Sequence, residues 1–172
     1  MKTFLLLFTL LIGIDSFSQK CEKTIDPFTN ESIASFEWRQ RGFRNLYFES
    51  SKGLIYFQFR AGEMGNFEYT IPKDSEVLIK LENGEVIKLL TSDDVRSSSS
   101  TTSTGGGNVV FSTYYVKAFV SQKHLEQMAK FRITDLRYPD LNGGVKQYDN
   151  KELRNKFEKF LMEGAQCMMN NK

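Results

Sequence analysis

Apolar and polar positions alternate most cleanly between residues 76 and 91, which read Glu-Val-Leu-Ile-Lys-Leu-Glu-Asn-Gly-Glu-Val-Ile-Lys-Leu-Leu-Thr. Period-two alternation around an Asn-Gly pair predicts a β-hairpin. A two-residue turn at Asn83-Gly84 would set Glu82 against Glu85 and Ile79 against Lys88. A three-residue loop, Glu82-Asn83-Gly84 with Gly84 left-handed, instead pairs Ile79 with Ile87 and Val77 with Leu89. That register gathers four aliphatic side chains on one face and separates the two glutamates. A one-residue slip moves every side chain to the other face, so the three-residue loop is expected.

Residues 44–60 carry the same pattern. Leu46 and Phe48, then Ile55, Phe57 and Phe59, alternate with polar or amphipathic neighbours, and Ser50-Ser51-Lys52-Gly53 supplies the turn. Phe36 and Trp38 fit a preceding strand. Gly62, Gly65 and Pro72 read as a loose connection. Residues 97–107, Ser-Ser-Ser-Ser-Thr-Thr-Ser-Thr-Gly-Gly-Gly, contain no apolar side chain to offset ordering entropy, so a flexible Ser/Thr/Gly loop is expected there. A long strand is predicted over 109–120.

Ser121 can N-cap a short helix with Leu125, Met128 and Ala129 on one side. A strand over 131–138 ends at Pro139, and 140–144 forms a turn. The clearest helix is the tail, 150–169. Asp149 is its N-cap, Glu152 closes a capping box and Tyr148 can staple onto Leu153. Leu153, Phe157, Phe160, Leu161, Gly164, Cys167 and Met168 make one stripe at helical spacing. Lys151, Asn155, Lys159 and Met162 lie opposite. The stripe is read as a cover for the sheet. Together these elements predict an α+β fold: a bent antiparallel sheet of about six to eight strands, as a sandwich or half-barrel like a pleckstrin-homology domain, covered by the C-terminal helix.

The N-terminus changes the compartment. Lys2, an apolar run from Phe4 to Ile14, and small residues Ser16 and Ser18 form a signal peptide over residues 1–18, with cleavage expected before Gln19. The run is about half of the roughly 20 apolar residues a membrane span needs, and Lys20 stands directly before Cys21, where lipidation would want a small residue. The mature chain, residues 19–172, is read as a single domain without a membrane span, exported to the periplasm or secreted, and acting as a monomer. Lys2 and Asp15 cancel, so its formal charge stays at +2. That is too near neutrality for a dedicated nucleic-acid binder. The chain's two cysteines, Cys21 and Cys167, are expected to form a disulfide in an oxidising space. Their spacing is useless for zinc.

Candidate chemistry is sparse. Trp38, Arg39, Arg41, Phe43 and Arg44 interleave cations with aromatics. They read either as a grip on an anionic or sugar ligand or as a solvated strand edge whose charges block pairing. Glu37, Glu49, Glu63, Glu68, Asp93 and Asp94 could in principle serve glycoside hydrolysis, but nothing selects the pair that it needs. His124, the single histidine, reads as an exposed helix residue. Gly105-Gly106-Gly107 lacks the Gly-Lys-Ser/Thr of a phosphate loop. The 140–144 turn places Gly144 and Lys146 where calcium would want oxygens. Asn30-Glu31-Ser32 is a glycosylation sequon only for a eukaryotic secretory route. No catalytic residue, metal or cofactor is expected.

Cys21-x4-Asp26-Pro27-Phe28-Thr29, together with the run from Tyr115 through Val-Ser-Gln-Lys-His-Leu-Glu-Gln-Met-Ala-Lys-Phe-Arg-Ile-Thr-Asp-Leu to Arg137, resembles small exported proteins of Bacteroidetes. In these a strand leads into a short helix, an Ile-x-x-Ile/Leu-Arg strand and a terminal helix. The resemblance implies a periplasmic or outer-surface home in a Gram-negative cell and carries over no catalytic residue. With no extra C-terminal sorting domain in view, the periplasm is favoured. The function expected is a non-catalytic envelope module binding a protein or glycan. The alternative is a small hydrolase acting on envelope polymers.

Overall fold

The computed structural model describes residues 21–38, 46–148 and 155–171. In chain order the elements are β1 (Cys21–Ile25), β2 (Ser32–Trp38), β3 (Leu46–Ser51), β4 (Leu54–Met64), β5 (Thr70–Ile71), β6 (Glu76–Leu81), β7 (Val86–Leu90), β8 (Val95–Arg96), β9 (Ser98–Thr104), β10 (Gly107–Phe119), α1 (Gln122–Lys130), β11 (Ile133–Pro139), β12 (Val145–Tyr148) and α2 (Asn155–Asn170). Among the described residues, six strands form one sheet in the order β1-β2-β3-β4-β10-β9, and four form another in the order β12-β11-β6-β7. A two-stranded ladder joins β5 to β8, and the neighbouring strands pair antiparallel. Just past β7, an isolated bridge between Thr91 and Ala118 ties the smaller sheet to β10.

The hairpin of β6 and β7 adopts the three-residue register. Ile79 faces Ile87 and Val77 faces Leu89, while the Leu81 N–H donates to the Glu85 carbonyl at 2.8 Å. Gly84 stands at φ +87°, where a Cβ would be strained. The β3–β4 turn is tighter than the four residues expected, because Ser51 already pairs with Leu54. β4 also runs farther than expected. It passes through Gly62, which pairs with Thr113, so the loose connection starts only at Gly65.

The largest departure is at residues 97–107. In place of a loop, Ser98–Thr104 pairs along β10 without a break in register, and Gly105 and Gly106 make the turn. Its hydrogen-bonding partner is a strand that the core already holds in place. The Ser112 hydroxyl is the local anchor. It accepts from the Phe67 N–H at 2.8 Å, donates to the Gly65 carbonyl at 2.8 Å and meets the Ser99 hydroxyl at 2.8 Å. β12 is a further strand the sequence reading did not anticipate.

The core lies between the inner faces of the two sheets and under the helices. Phe59 of β4 meets Tyr138 of β11 edge to face, with ring centroids 4.7 Å apart. Ser121 caps α1 by accepting from the His124 N–H at 3.2 Å, and Leu125 and Met128 of that helix are buried. Phe160, Leu161, Ala165, Cys167 and Met168 of α2 are buried. Phe160 packs on Phe36 at 5.0 Å and on Phe48 at 6.3 Å between ring centroids. The apolar stripe of the tail does cover the sheet. Its expected cap at Asp149 and Glu152, its staple onto Leu153, and Lys151 lie outside the described residues. So do the signal peptide over residues 1–18 and Lys20.

Cys21 and Cys167 pair as a disulfide with Cα atoms 5.7 Å apart. Cys21 stands opposite Phe36 in the β1–β2 register, on the side of the sheet that α2 covers. None of the described helices is long and apolar enough to cross a membrane.

Candidate functional site

Strand alternation sends one set of side chains into the core and the other to the outer face of the six-stranded sheet. In β3, Leu46 and Phe48 point inward, so Tyr47 and Glu49 point out. In β4, Ile55, Phe57 and Phe59 point in, which leaves Tyr56, Gln58 and Arg60 outside. In β10, Tyr114, Val116 and Ala118 are buried and Tyr115, Lys117 and Phe119 are outside. Register then lines these up across the strands. Glu49, Tyr56 and Phe119 form one row, Tyr47, Gln58 and Lys117 the next, and Arg60 with Tyr115 a third.

The rows interlock. Tyr56 and Phe119 rings lie 5.0 Å apart and tilted by 39°. The Lys117 ammonium sits 4.0 Å from the centre of the Tyr56 ring and 3.9 Å from a Glu49 carboxylate oxygen. The Arg60 guanidinium stands 5.9 Å from the Tyr115 ring centre. Each cation–aromatic contact contributes about 0.5–1 kcal/mol at an exposed site, enough to fix side-chain positions and little more. Tyr115 stays 59% exposed and Phe119 39% exposed, so aromatic surface remains open to solvent. Burial pushes the Tyr47 hydroxyl above its usual pKa, opposed by a hydrogen bond with Ser35 and reinforced by the Glu49 and Glu37 carboxylates. Tyr47 therefore keeps its proton throughout the neutral range, and the Glu49 carboxylate beside it accepts that proton in a hydrogen bond.

The structure brings together little of what the sequence singled out. Arg39, Arg41, Phe43 and Arg44 lie outside the described residues, as does the side chain of Trp38. The Trp38 backbone pairs with Leu46, in the register line of buried Leu46, Phe59 and Val116. Four of the six candidate carboxylates are dispersed, and two, Glu37 and Glu49, come near each other on the outer face. Glu63 pairs with Lys146 at 3.2 Å, Asp93 accepts from the Ser92 hydroxyl at 2.8 Å and Asp94 accepts from the Lys73 N–H at 2.9 Å. Glu68 lies on an exposed connection. Glu37 and Glu49 flank Tyr47 on the outer face.

The outer-face residues themselves were missed, although one signal was available. Tyr47, Tyr56, Tyr115 and Phe119 are aromatics at the polar phase of predicted strands, where burial does not require them.

A groove of about 180 Å³ runs over the outer side of the smaller sheet, lined by Leu78, Lys80, Val86, Asp135, Arg137 and Gln147. Its single carboxylate, Asp135, lies 3.7 Å from the Lys80 ammonium. The Arg137 guanidinium donates twice to Gln147 Oε1, at 3.1 and 2.6 Å. In the 140–144 turn, Asp140 is buried and accepts from the N–H groups of Asn142 and Gly144 at 2.9 and 2.8 Å. Its carboxylate closes the turn itself. Among the described residues no three His, Cys, Asp or Glu side chains come close enough together to hold a metal ion. The chain matches no protein-family model, no curated protein and no solved structure.

Proposed function

We propose that this chain is a non-catalytic exported module that binds a glycan of the cell envelope along the outer face of its six-stranded sheet. The observation that carries the reading is the adjacency of two mixed rows, Glu49-Tyr56-Phe119 and Tyr47-Gln58-Lys117. A sugar ring has apolar faces that lie against aromatic side chains and a rim of hydroxyls that needs donors and acceptors. Both kinds of partner alternate here on one rigid surface. A protein partner is the weaker fit, because protein interfaces exclude Lys and Glu from their centres, and Lys117 and Glu49 stand at the centre of this face.

Export rests on residues 1–18 and is compatible with the Cys21–Cys167 disulfide. The resemblance to small exported proteins of Bacteroidetes supports a periplasmic home. The bridge from Thr91 to Ala118, which carries one sheet into the next, supports reading the architecture as a half-barrel closed by α2, like a pleckstrin-homology domain.

Co-sedimentation of the mature chain with purified peptidoglycan sacculi, and capture on immobilised lipopolysaccharide, tests the proposal. Tyr56→Ala with Tyr115→Ala should weaken binding at least tenfold in a protein that still unfolds cooperatively, its melting temperature lowered by only a few degrees. Val86→Ala, on the other sheet, should leave binding intact. Absence of binding to both polymers overturns the reading, as does binding that survives the double substitution.

A further inference from the structure

The strand β9 ends the six-stranded sheet, and the phase of its backbone can be worked out. Val110 accepts from the Gly65 N–H and Val120 donates to the Ile55 carbonyl. Even-numbered residues of β10 therefore turn their polar groups toward the β4 side. Lys117 accepts from the Ser92 N–H, so odd-numbered ones turn away from β4, which is the side where β9 lies. Phe111 pairs with Ser100 and Val109 with Thr102, so those β9 residues use their N–H and C=O groups on β10. Ser99, Thr101 and Ser103 direct theirs away from the sheet, and no described strand lies beyond them.

Natural sheets blunt such edges with charges, prolines or bulges. The other edge of this sheet, β1, carries Glu22 and Lys23. β9 has no charge and no proline, and its register with β10 is unbroken.

We propose that β9 pairs antiparallel with β9 of a second copy, about a two-fold axis at Thr101, so that the chain forms a homodimer and not the monomer expected from sequence. In that register Thr101 meets itself and Ser99 meets Ser103 of the second copy. Three hydrogen-bonded pairs form, and every outward N–H and C=O finds a partner. Centring the pair on Ser99 or Ser103 leaves some of them unpaired. The side chains favour a second copy as the occupant. A residue on a two-fold axis faces its own image, which a charge cannot do without repulsion. A Ser or Thr hydroxyl both donates and accepts, so it tolerates itself. The axis stands perpendicular to the sheet, so the outer faces of both copies lie on the same side.

The contact is one strand wide, smaller than the roughly 1,600 Å² of a stable interface, so a weak, reversible association is expected. Sedimentation equilibrium of the mature chain from about 1 μM to 1 mM reads it without any glycan, independently of the binding reading. A monomer–dimer equilibrium is expected. Thr101→Pro removes one outward N–H but no bond to β10, and should be monomeric with a near-native melt. Thr101→Val should still dimerise. If Thr101→Pro does not fold, Thr101→Lys should abolish the dimer by charge. Thr101→Cys should crosslink to its own image on oxidation, and Ser103→Cys should not. A monomer at 1 mM overturns the proposal. So does a dimer that persists in folded Thr101→Pro and in Thr101→Lys, or equal crosslinking at positions 101 and 103.

Discussion

A Cβ added at Gly164 of α2 would sit 2.5 Å from Cδ2 of Phe48 in β3 and 3.0 Å from Cδ1 of Phe36 in β2. The helix lies this close to the sheet because residue 164 has no side chain. Both rings are buried, and Phe48 is wedged between Phe57 at 5.2 Å and Phe160 at 6.3 Å, so neither can swing aside freely. Gly164→Ala gains about 1 kcal/mol of helix propensity and meets an overpacking cost of about 1–3 kcal/mol or more. A net loss of stability is expected, read as a lower midpoint in urea unfolding. An unchanged or raised midpoint would show that α2 can lift off the sheet at no cost.

The disulfide should carry a large share of stability. Cys21 and Cys167 are 146 residues apart in sequence, and closing so long a loop stabilises by about 5 kcal/mol in a chain-entropy treatment. All five residues of β1 are exposed, so its pairing to β2 and this bond are what hold it. The Cys21→Ser, Cys167→Ser pair should lower unfolding free energy by about 2–5 kcal/mol, and trypsin should then cut at Lys23. Titration of the unreduced protein should find no free thiol.

Ser112→Ala tests the hub beneath β9. Its hydroxyl serves the Phe67 N–H, the Gly65 carbonyl and the Ser99 hydroxyl together, and it is buried. Leaving those partners unsatisfied costs about 1–3 kcal/mol. Hydrogen exchange should accelerate at Phe67 and along β9, with β6 and β7 unaffected.

His124 gives a pH signature. Burial, then the Lys123 ammonium, lowers its pKa below the usual imidazole value of 6.5, and its Nδ1 is shielded without a hydrogen-bond partner. The folded state therefore favours the neutral ring. The stability this represents is present above pH 6.5 and is lost as pH falls through the lower folded pKa. As the single histidine, its ring protons can be followed by NMR, and a midpoint at or above 6.5 would contradict the burial. Lys123→Gln should raise the midpoint by less than unfolding does.

The β6–β7 hairpin could be read to its register because Val77, Ile79, Ile87 and Leu89 must share a buried face, and only one pairing achieves that. β9 could not, since Ser and Thr at every position give no phase. Its strand state comes from β10, which the core holds. The outer-face site escaped for a related reason. Arg39, Arg41 and Arg44 are clustered in the sequence itself, whereas Tyr47, Tyr56 and Tyr115 come onto one face only through the order β3-β4-β10. That order puts β10 beside β4 across a long stretch of chain, a choice set by how the inner faces pack and not by any local pattern.

The bond between Cys21 and Cys167 also decides how the protein meets force. Tension applied through the chain on either side of the pair passes from one cysteine to the other across a single covalent link. The sheets, the helix α1 and most of α2 hang as a closed loop outside that load path, so a pull that would unzip an open chain strand by strand leaves them unstrained. Only once the bond is reduced does the same pull reach the hydrogen bonds of β1 and begin to peel the sheet from its edge.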